Sequence, residues 1–231
     1  MKTVMLWMKA GSARNALINR LTSVKAVRPG LSMSPWHAFT LLLLAFAATP
    51  AFAHTGLHIG SGLGGGFGSG LAHPFLGLDH LLAMLMVGLW AAQQDRPWQR
   101  MLPPVVFVGV MALGGLLAQS TGQTGFVLPQ VENGIAVSVM GLGLLTAFAI
   151  RLPALLMLPV IAGFGLFHGY AHGAEMPVVT MWTYMVGFVL ATASLHAMGY
   201  FSARALLEKQ GRMVQAAGAL GAVSGGLMLL G

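Results

Sequence analysis

The chain has 231 residues, of which 56% are hydrophobic and only 7% are charged. A soluble domain carries about 25% charged residues, so this chain has too few charges to cover a soluble surface. The absence of cysteine excludes disulfides and thiolate metal sites. Most of the net charge of +7 comes from residues 1–53, which hold six Lys and Arg and no acid. These basic residues lack interleaved aromatic residues, which argues against a nucleic-acid surface.

The first 53 residues are predicted to be a basic leader followed by a cleavable signal peptide. Residues 38–48 form an apolar core that is too short to span a bilayer and is typical of a signal peptide. The A-x-A pattern at 51–53 predicts cleavage after Ala53, which would leave His54 as an exported N-terminus. An uncleaved first helix is the alternative, and the long leader leaves Met33 open as the true start.

Six apolar segments, bounded by Gly and Pro, follow the leader, and each approaches the roughly 20 residues that cross a bilayer as a helix. They predict an all-α, polytopic transmembrane bundle of six helices, which forms a single domain over residues 54–231. The segments lie at about 75–92, 102–120, 131–150, 153–171, 177–200 and 211–230.

The distribution of Lys and Arg predicts how these segments are oriented. All six Lys and Arg of residues 54–231 lie in the loops after segments one, three and five. Basic loops face the cytoplasm, so the N-terminus is expected outside, as the signal peptide also predicts. We therefore expect a multi-pass protein of a bacterial inner membrane, in contact with the lipid bilayer, with its mature N-terminus on the periplasmic side.

Histidines and acids gather at the outer ends of three segments. Ionisable groups inside a membrane are costly, and they indicate a functional site by default. His168 and His172 are one helical turn apart, and neutral imidazole with carboxylate suits borderline divalent metals such as nickel, cobalt and zinc. Seven residues are the predicted periplasmic metal-handling positions: His73, Asp79, His80, Glu132, His168, His172 and Glu175.

The first of these segments is expected to be interrupted. Pro74 and Gly77 make a continuous helix between His73 and His80 doubtful, and a glycine-rich stretch at 60–70 precedes them. Broken helices often mark the binding sites of transporters. Asp79 has the alternative role of pairing with His80 or capping the next helix.

Four further residues are secondary metal candidates. His54 and His58 could capture metal in the periplasm, and Met84 lies one turn after His80, although a methionine in an apolar helix is more often a packing residue. His196 is expected near the cytoplasmic end of segment five, away from the other histidines. Either an inner exit site or a contact between helices would explain it.

These motifs resemble the HupE/UreJ family of hydrogenase and urease accessory membrane proteins. The resemblance covers nearly all of residues 54–231, and its first motif is long and specific. It implies a permease for nickel, sometimes cobalt, and it implies metal-handling roles for the same seven residues. The motifs are HPFLGLDHLLAMLMVGLWAA from His73, PQVENGIA from Pro129, FHGYAHGAEMP from Phe167 and GFVLATASLH from Gly187.

A secondary transporter of a divalent metal is therefore the favoured function, with Ni²⁺ or Co²⁺ as cargo and no prosthetic group. It would supply urease or hydrogenase maturation, and the client enzyme, the coupling ion and a homo-oligomeric state are left open. No P-loop is present, so no nucleotide partner is expected. The alternatives are a membrane-bound metallochaperone without transport and an intramembrane zinc metalloenzyme. An enzyme is disfavoured because the H-E-x-x-H motif is absent.

Overall fold

The computed structural model describes residues 66–122, 127–176 and 178–231. These residues form α-helices and one short 3-10 turn, which confirms the all-α class for this part of the chain. The predicted signal peptide, its cleavage after Ala53, and His54 and His58 lie outside the described residues. The helices are α1 (Phe67–Leu76), α2 (Leu78–Ala92), α3 (Pro97–Gly122), α4 (Val131–Ala147), α5 (Ala154–Glu175) and α6 (Met181–Leu230).

The first apolar segment is broken, as its sequence indicated. Pro74 lies inside α1, where it removes a backbone donor, and Gly77 is extended with φ −98° and ψ 124°. The axes of α1 and α2 meet at an angle of 85°. Asp79 and His80 lie in the first turn of α2, directly after the bend.

Three of the described helices, α3, α5 and α6, are long and apolar enough to cross a membrane, and the bent pair α1–α2 qualifies as a fourth span. Helix α4 has 17 residues, fewer than the roughly 20 of a typical crossing. Helix α6 has 50 residues and would be about 75 Å long if straight. Non-helical backbone at Gln210 divides it into two parts, which correspond to predicted segments five and six. A helical membrane architecture is confirmed, and six separate crossings stay a prediction.

Glycines bring the helix backbones into close contact. A Cβ on Gly169 of α5 would lie 2.0 Å from the carbonyl oxygen of Met111 on α3, a separation that only glycine permits. The residue numbers of the contacting pairs increase together along α3 and α5, so the two helices run parallel. The contacting pairs are Phe107 with Gly165, Met111 with Gly169, and Gly115 with Gly173.

The remaining packing centres on α2 and α6. Every residue from Leu82 to Gln94 is buried, so α2 lies in the interior of the bundle. It crosses the first part of α6 where Gly88 meets Gly199, while α4 packs antiparallel against the second part of α6. The start of α2 and the end of α5 consequently face the first part of α6 across a common interior.

Candidate metal centre

Four histidine rings meet in this interior, and we call them the four-histidine cluster: His73 of α1, His80 of α2, and His168 and His172 of α5. The ring centres are 4.4 Å apart for His73 and His172, 4.3 Å for His80 and His172, and 5.0 Å for His80 and His168. Two imidazoles that bind one tetrahedral ion would have ring centres about 5 Å apart. The ring spacing in the cluster is close to this value.

Asp79 determines which nitrogen of His80 carries the proton. One carboxylate oxygen of Asp79 accepts hydrogen bonds from the His80 backbone N–H at 2.8 Å and from Nδ1 at 2.7 Å. If Nδ1 donates in the neutral imidazole, Nε2 keeps its lone pair. That Nε2 atom is buried and has no hydrogen-bond partner among the described residues. A carboxylate behind an imidazole is the usual arrangement that orients a metal-binding histidine.

Gly77 makes room for this pair at the corner between α1 and α2. A Cβ at this position would lie 2.8 Å from the Asp79 carboxylate oxygen and 3.0 Å from His80 Nδ1. The residue that breaks the first span is therefore also the residue that admits the carboxylate–imidazole contact.

Ser138 of α4 has the same effect on His168. Its hydroxyl donates to the carbonyl of Ile135 at 2.7 Å and also lies 2.7 Å from His168 Nε2. A hydroxyl has one hydrogen, and if that hydrogen is donated to Ile135, the serine oxygen accepts from Nε2–H of His168. The lone pair of His168 is then on Nδ1, which is buried without a partner in the described chain.

His172 has no such neighbour. Both of its ring nitrogens are buried and lack hydrogen-bond partners within the described residues, and its ring lies 4.2 Å from that of Phe188. Each unpaired buried polar group costs about 1–3 kcal/mol. Native structures keep few such groups, and an ion or an ordered water is a common reason for them. Unpaired ring nitrogens of His80, His168 and His172 thus lie in one buried region, where a cation would compensate their burial.

The rings are not arranged as a preformed metal site. Within residues 66–122, 127–176 and 178–231, no three histidine or acidic side chains form a group that could hold an ion as they stand. The ring planes of His73 and His172 are 89° apart, and those of His80 and His168 are 88° apart. Metal binding would require the rings to turn about their side-chain torsions.

The predicted site residues divide into two groups. The structure brings together five of the seven, namely the four-histidine cluster and Asp79. Glu132 is exposed in the first turn of α4, about 9 Å along the helix from Ser138. Glu175 is the last residue of α5, and Met84 is a buried residue one turn after His80. Their roles as ligands stay predictions.

His196 lies closer to the cluster than its sequence position indicated. The centre of its buried ring lies 5.3 Å from the centre of the Phe107 ring. The centre of the Phe107 ring in turn lies 5.4 Å from that of the His168 ring. The first part of α6 passes beside α2 and α3 and so carries His196 into the interior. Sequence reasoning missed Ser138, Phe107 and Phe188, although the four-residue spacing of Phe188, Thr192 and His196 indicates one helix face.

Arginines collect at the opposite end of the bundle. Arg100, Arg151, Arg204 and Arg212 line a cavity of about 550 Å³ between the end of α2, the start of α3, the connection from α4 to α5, and α6. Asp95 pairs with Arg151 at 2.7 Å, and Arg100 donates to the carbonyl of Gln94 at 2.8 Å. The loops that were predicted to share the cytoplasmic face therefore do lie at one end.

Comparisons with known proteins agree with the motifs. A family model described as HupE / UreJ protein matches residues 41–229. The chain is 41% identical over 196 residues to Protein HupE of Rhizobium leguminosarum bv. viciae, and the match covers 83% of this chain and 96% of that protein. No solved structure matches the chain.

Proposed function

The chain belongs to the HupE/UreJ family of hydrogenase and urease accessory membrane proteins, and from this premise we propose that it is a permease for nickel, or for cobalt. The ion is cargo that the protein passes across the bacterial inner membrane toward the maturation of urease or hydrogenase. In this proposal the protein is a transporter without catalytic activity, and it needs neither a nucleotide nor a prosthetic group.

The observation that carries the proposal is the set of buried lone pairs beside one carboxylate. A divalent ion that leaves water needs replacement ligands, and neutral imidazoles supply them without adding positive charge. Asp79 adds one negative charge behind His80. A subset of these ligands is expected to bind at one time, because a transported ion must also be released.

The distribution of charge supports an orientation for this transport. The four-histidine cluster and the arginine-lined cavity lie at opposite ends of α2, and arginine-rich ends face the cytoplasm. We therefore place the cluster on the periplasmic side. The parallel run of α3 and α5 and the antiparallel run of α4 and the second part of α6 agree with six alternating crossings.

A membrane-bound metallochaperone is the second candidate, because the α5 side of the cluster is closed to solvent. His168 and His172 have exposures of 0% and 1%, whereas His73 is half-buried. Deeply buried ligands suit an ion that is held as well as an ion that is passed on. The two functions differ in whether bound metal crosses the membrane.

Uptake into proteoliposomes separates the two candidates. The purified full-length protein would be reconstituted, and uptake of Ni²⁺, Co²⁺ and Zn²⁺ followed with an inside-negative potential, which favours entry of two charges by about 4.6 kcal/mol per 100 mV. We expect saturable nickel uptake that falls at least about tenfold in His80→Ala and His172→Ala. Glu208→Gln is the control, because Glu208 is exposed on α6 near the arginine end. Tight nickel binding without uptake would instead establish the metallochaperone.

A further inference from the structure

Helix α6 presents one line of side chains that begins at the four-histidine cluster and leads away from it. Tyr184 lies 6.0 Å from His73, Phe188 lies 4.2 Å from His172, and His196 lies 5.3 Å from Phe107, all measured between ring centres. These residues and Thr192 are spaced four apart and so share a helix face. From Phe188 to His196 the line extends about 12 Å along the helix axis.

The end of this line that is farther from the four-histidine cluster carries three different atoms that could bind a metal ion. His196 is 2% exposed, and neither of its ring nitrogens has a hydrogen-bond partner among the described residues. Thr192 lies one turn before it, and the hydroxyl of Thr192 is 3.8 Å from the sulfur of Met111 on α3. Both Thr192 and Met111 are buried, with exposures of 0% and 1%. An imidazole, a hydroxyl and a thioether therefore occupy one buried region between α3 and α6.

We propose that His196, Thr192 and Met111 form an inner binding station for the divalent ion, which the ion reaches from the four-histidine cluster by passing the ring of Phe107. This inference rests on the proposed transport function. The ring centre of Phe107 lies 5.4 Å from that of His168 and 5.3 Å from that of His196, so Phe107 adjoins both stations.

The chemistry of the two stations suits release of the ion from the inner one. The outer cluster offers four imidazoles and the Asp79 carboxylate, whereas the inner station offers one imidazole and two weaker neutral donors. Conduction requires sites that bind firmly enough for the ion to enter and weakly enough for it to leave. A thioether is also a softer ligand than a carboxylate, which suits nickel better than calcium or magnesium.

A packing role for His196 is the competing explanation. A histidine that only packs between helices would normally pair its ring nitrogens with neighbouring polar groups. The two unpaired nitrogens of His196 are what set it apart from that case. The inner station predicts two bound ions per chain, whereas a packing role predicts one. A stability measurement alone does not report this number.

The test is a count of bound nickel in the full-length protein in detergent by equilibrium dialysis, with uptake measured in proteoliposomes. We expect two ions per wild-type chain and one in His196→Leu, with the affinity of the remaining ion changed by less than about threefold and uptake lowered at least about tenfold. Thr192→Val and Met111→Leu keep the shape of the buried residues, and they should weaken binding of the second ion. They replace His196→Leu as the test if that variant fails to fold. Ser194→Ala is the matched control, because Ser194 is exposed on α6 and bonds only to the carbonyl of Leu190 among the described groups.

Several results would overturn the inner station while leaving transport intact. One is a wild-type chain that takes up nickel but binds a single ion. Another is a set of variants that bind two ions and transport at the wild-type rate, including a His196→Leu protein whose only change is a lower unfolding temperature. A wild-type protein that takes up no nickel would overturn the proposed function itself, and the inner station with it.

Discussion

Two histidines of the cluster have one nitrogen engaged by a neighbouring oxygen and the other left without a partner. The carboxylate of Asp79 accepts a hydrogen bond from His80 Nδ1, and the hydroxyl of Ser138 is hydrogen-bonded to His168 Nε2. The sequence predicted Asp79, because it adjoins His80 in a recognisable motif. Ser138 was not predictable, because its role depends on α4 packing beside α5. Side chains that orient a ligand are usually supplied by another element, and a single sequence does not show that contact.

Replacing Asp79 with Asn should weaken nickel binding about 10–100-fold, because the amide no longer supplies negative charge behind His80. Isothermal titration of the purified protein measures this change. Asp95→Asn is the control, since Asp95 is an exposed acid that pairs with Arg151 at the other end of the bundle. An Asp79→Asn protein with wild-type affinity would remove Asp79 from the site.

Replacing Ser138 with Ala should also weaken nickel binding, by a smaller factor. The His168 Nε2–H group would lose its acceptor, which costs about 1–3 kcal/mol and frees the ring to change its orientation. Titration of the same kind would show the loss. Ser120→Ala removes an exposed hydroxyl that bonds locally to the carbonyl of Leu117, and it should change nothing. Equal affinities in the two variants would show that His168 needs no such support.

At the scale of the helices, the break at Gly77 was predictable and the continuity of α6 was not. Pro74 and Gly77 are residues whose backbone preferences interrupt a helix. The charged stretch between the last two apolar segments was expected to be a loop because it is polar. It is helical because Ala205, Leu206, Glu208 and Lys209 are strong helix formers, and only Gln210 departs from helical backbone.

Replacing Gly169 with Ala should destabilise the contact between α3 and α5. The added Cβ would meet the Met111 carbonyl at 2.0 Å, and overpacking of this kind costs about 1–3 kcal/mol. Because Gly169 adjoins His168 and faces the turn after Phe107, uptake should fall together with the unfolding temperature. Thermal unfolding in detergent and uptake in proteoliposomes measure the two effects.

Gly163→Ala provides the control on the same helix, since a Cβ there has no atom within 4 Å to meet. That variant should match the wild type or be slightly more stable, because alanine favours helix. If both variants behaved alike, close packing at Gly169 would not be what holds α3 and α5 together.

For the whole molecule, the placement of charge predicted more than hydropathy did. The placement of Lys and Arg predicted which loops share one end, and the structure gathers their arginines around one cavity. Hydropathy predicted six crossings, whereas the described helices include three clear spans and one bent pair. Hydropathy alone did not show where α2 is buried by its neighbours, since a core helix and a spanning helix are equally apolar.

Labelling of single cysteines tests the orientation, and the natural chain contributes no background because it has no cysteine. An impermeant maleimide added to intact spheroplasts should label Val127→Cys, which is 74% exposed between α3 and α4. It should label Glu208→Cys only after the membrane is permeabilised. The reverse pattern would invert the orientation, and labelling of both from outside would contradict the alternating crossings.

Nickel K-edge X-ray absorption of the purified protein loaded with one ion per chain tests most directly whether the four-histidine cluster holds the cargo. The expected spectrum is a first shell of nitrogen and oxygen with scattering from roughly three imidazoles. The imidazole scattering should lose one ring in His172→Ala and stay unchanged in Glu208→Gln. A shell of oxygen ligands alone, or a spectrum that His172→Ala leaves unaltered, would contradict metal binding by the cluster.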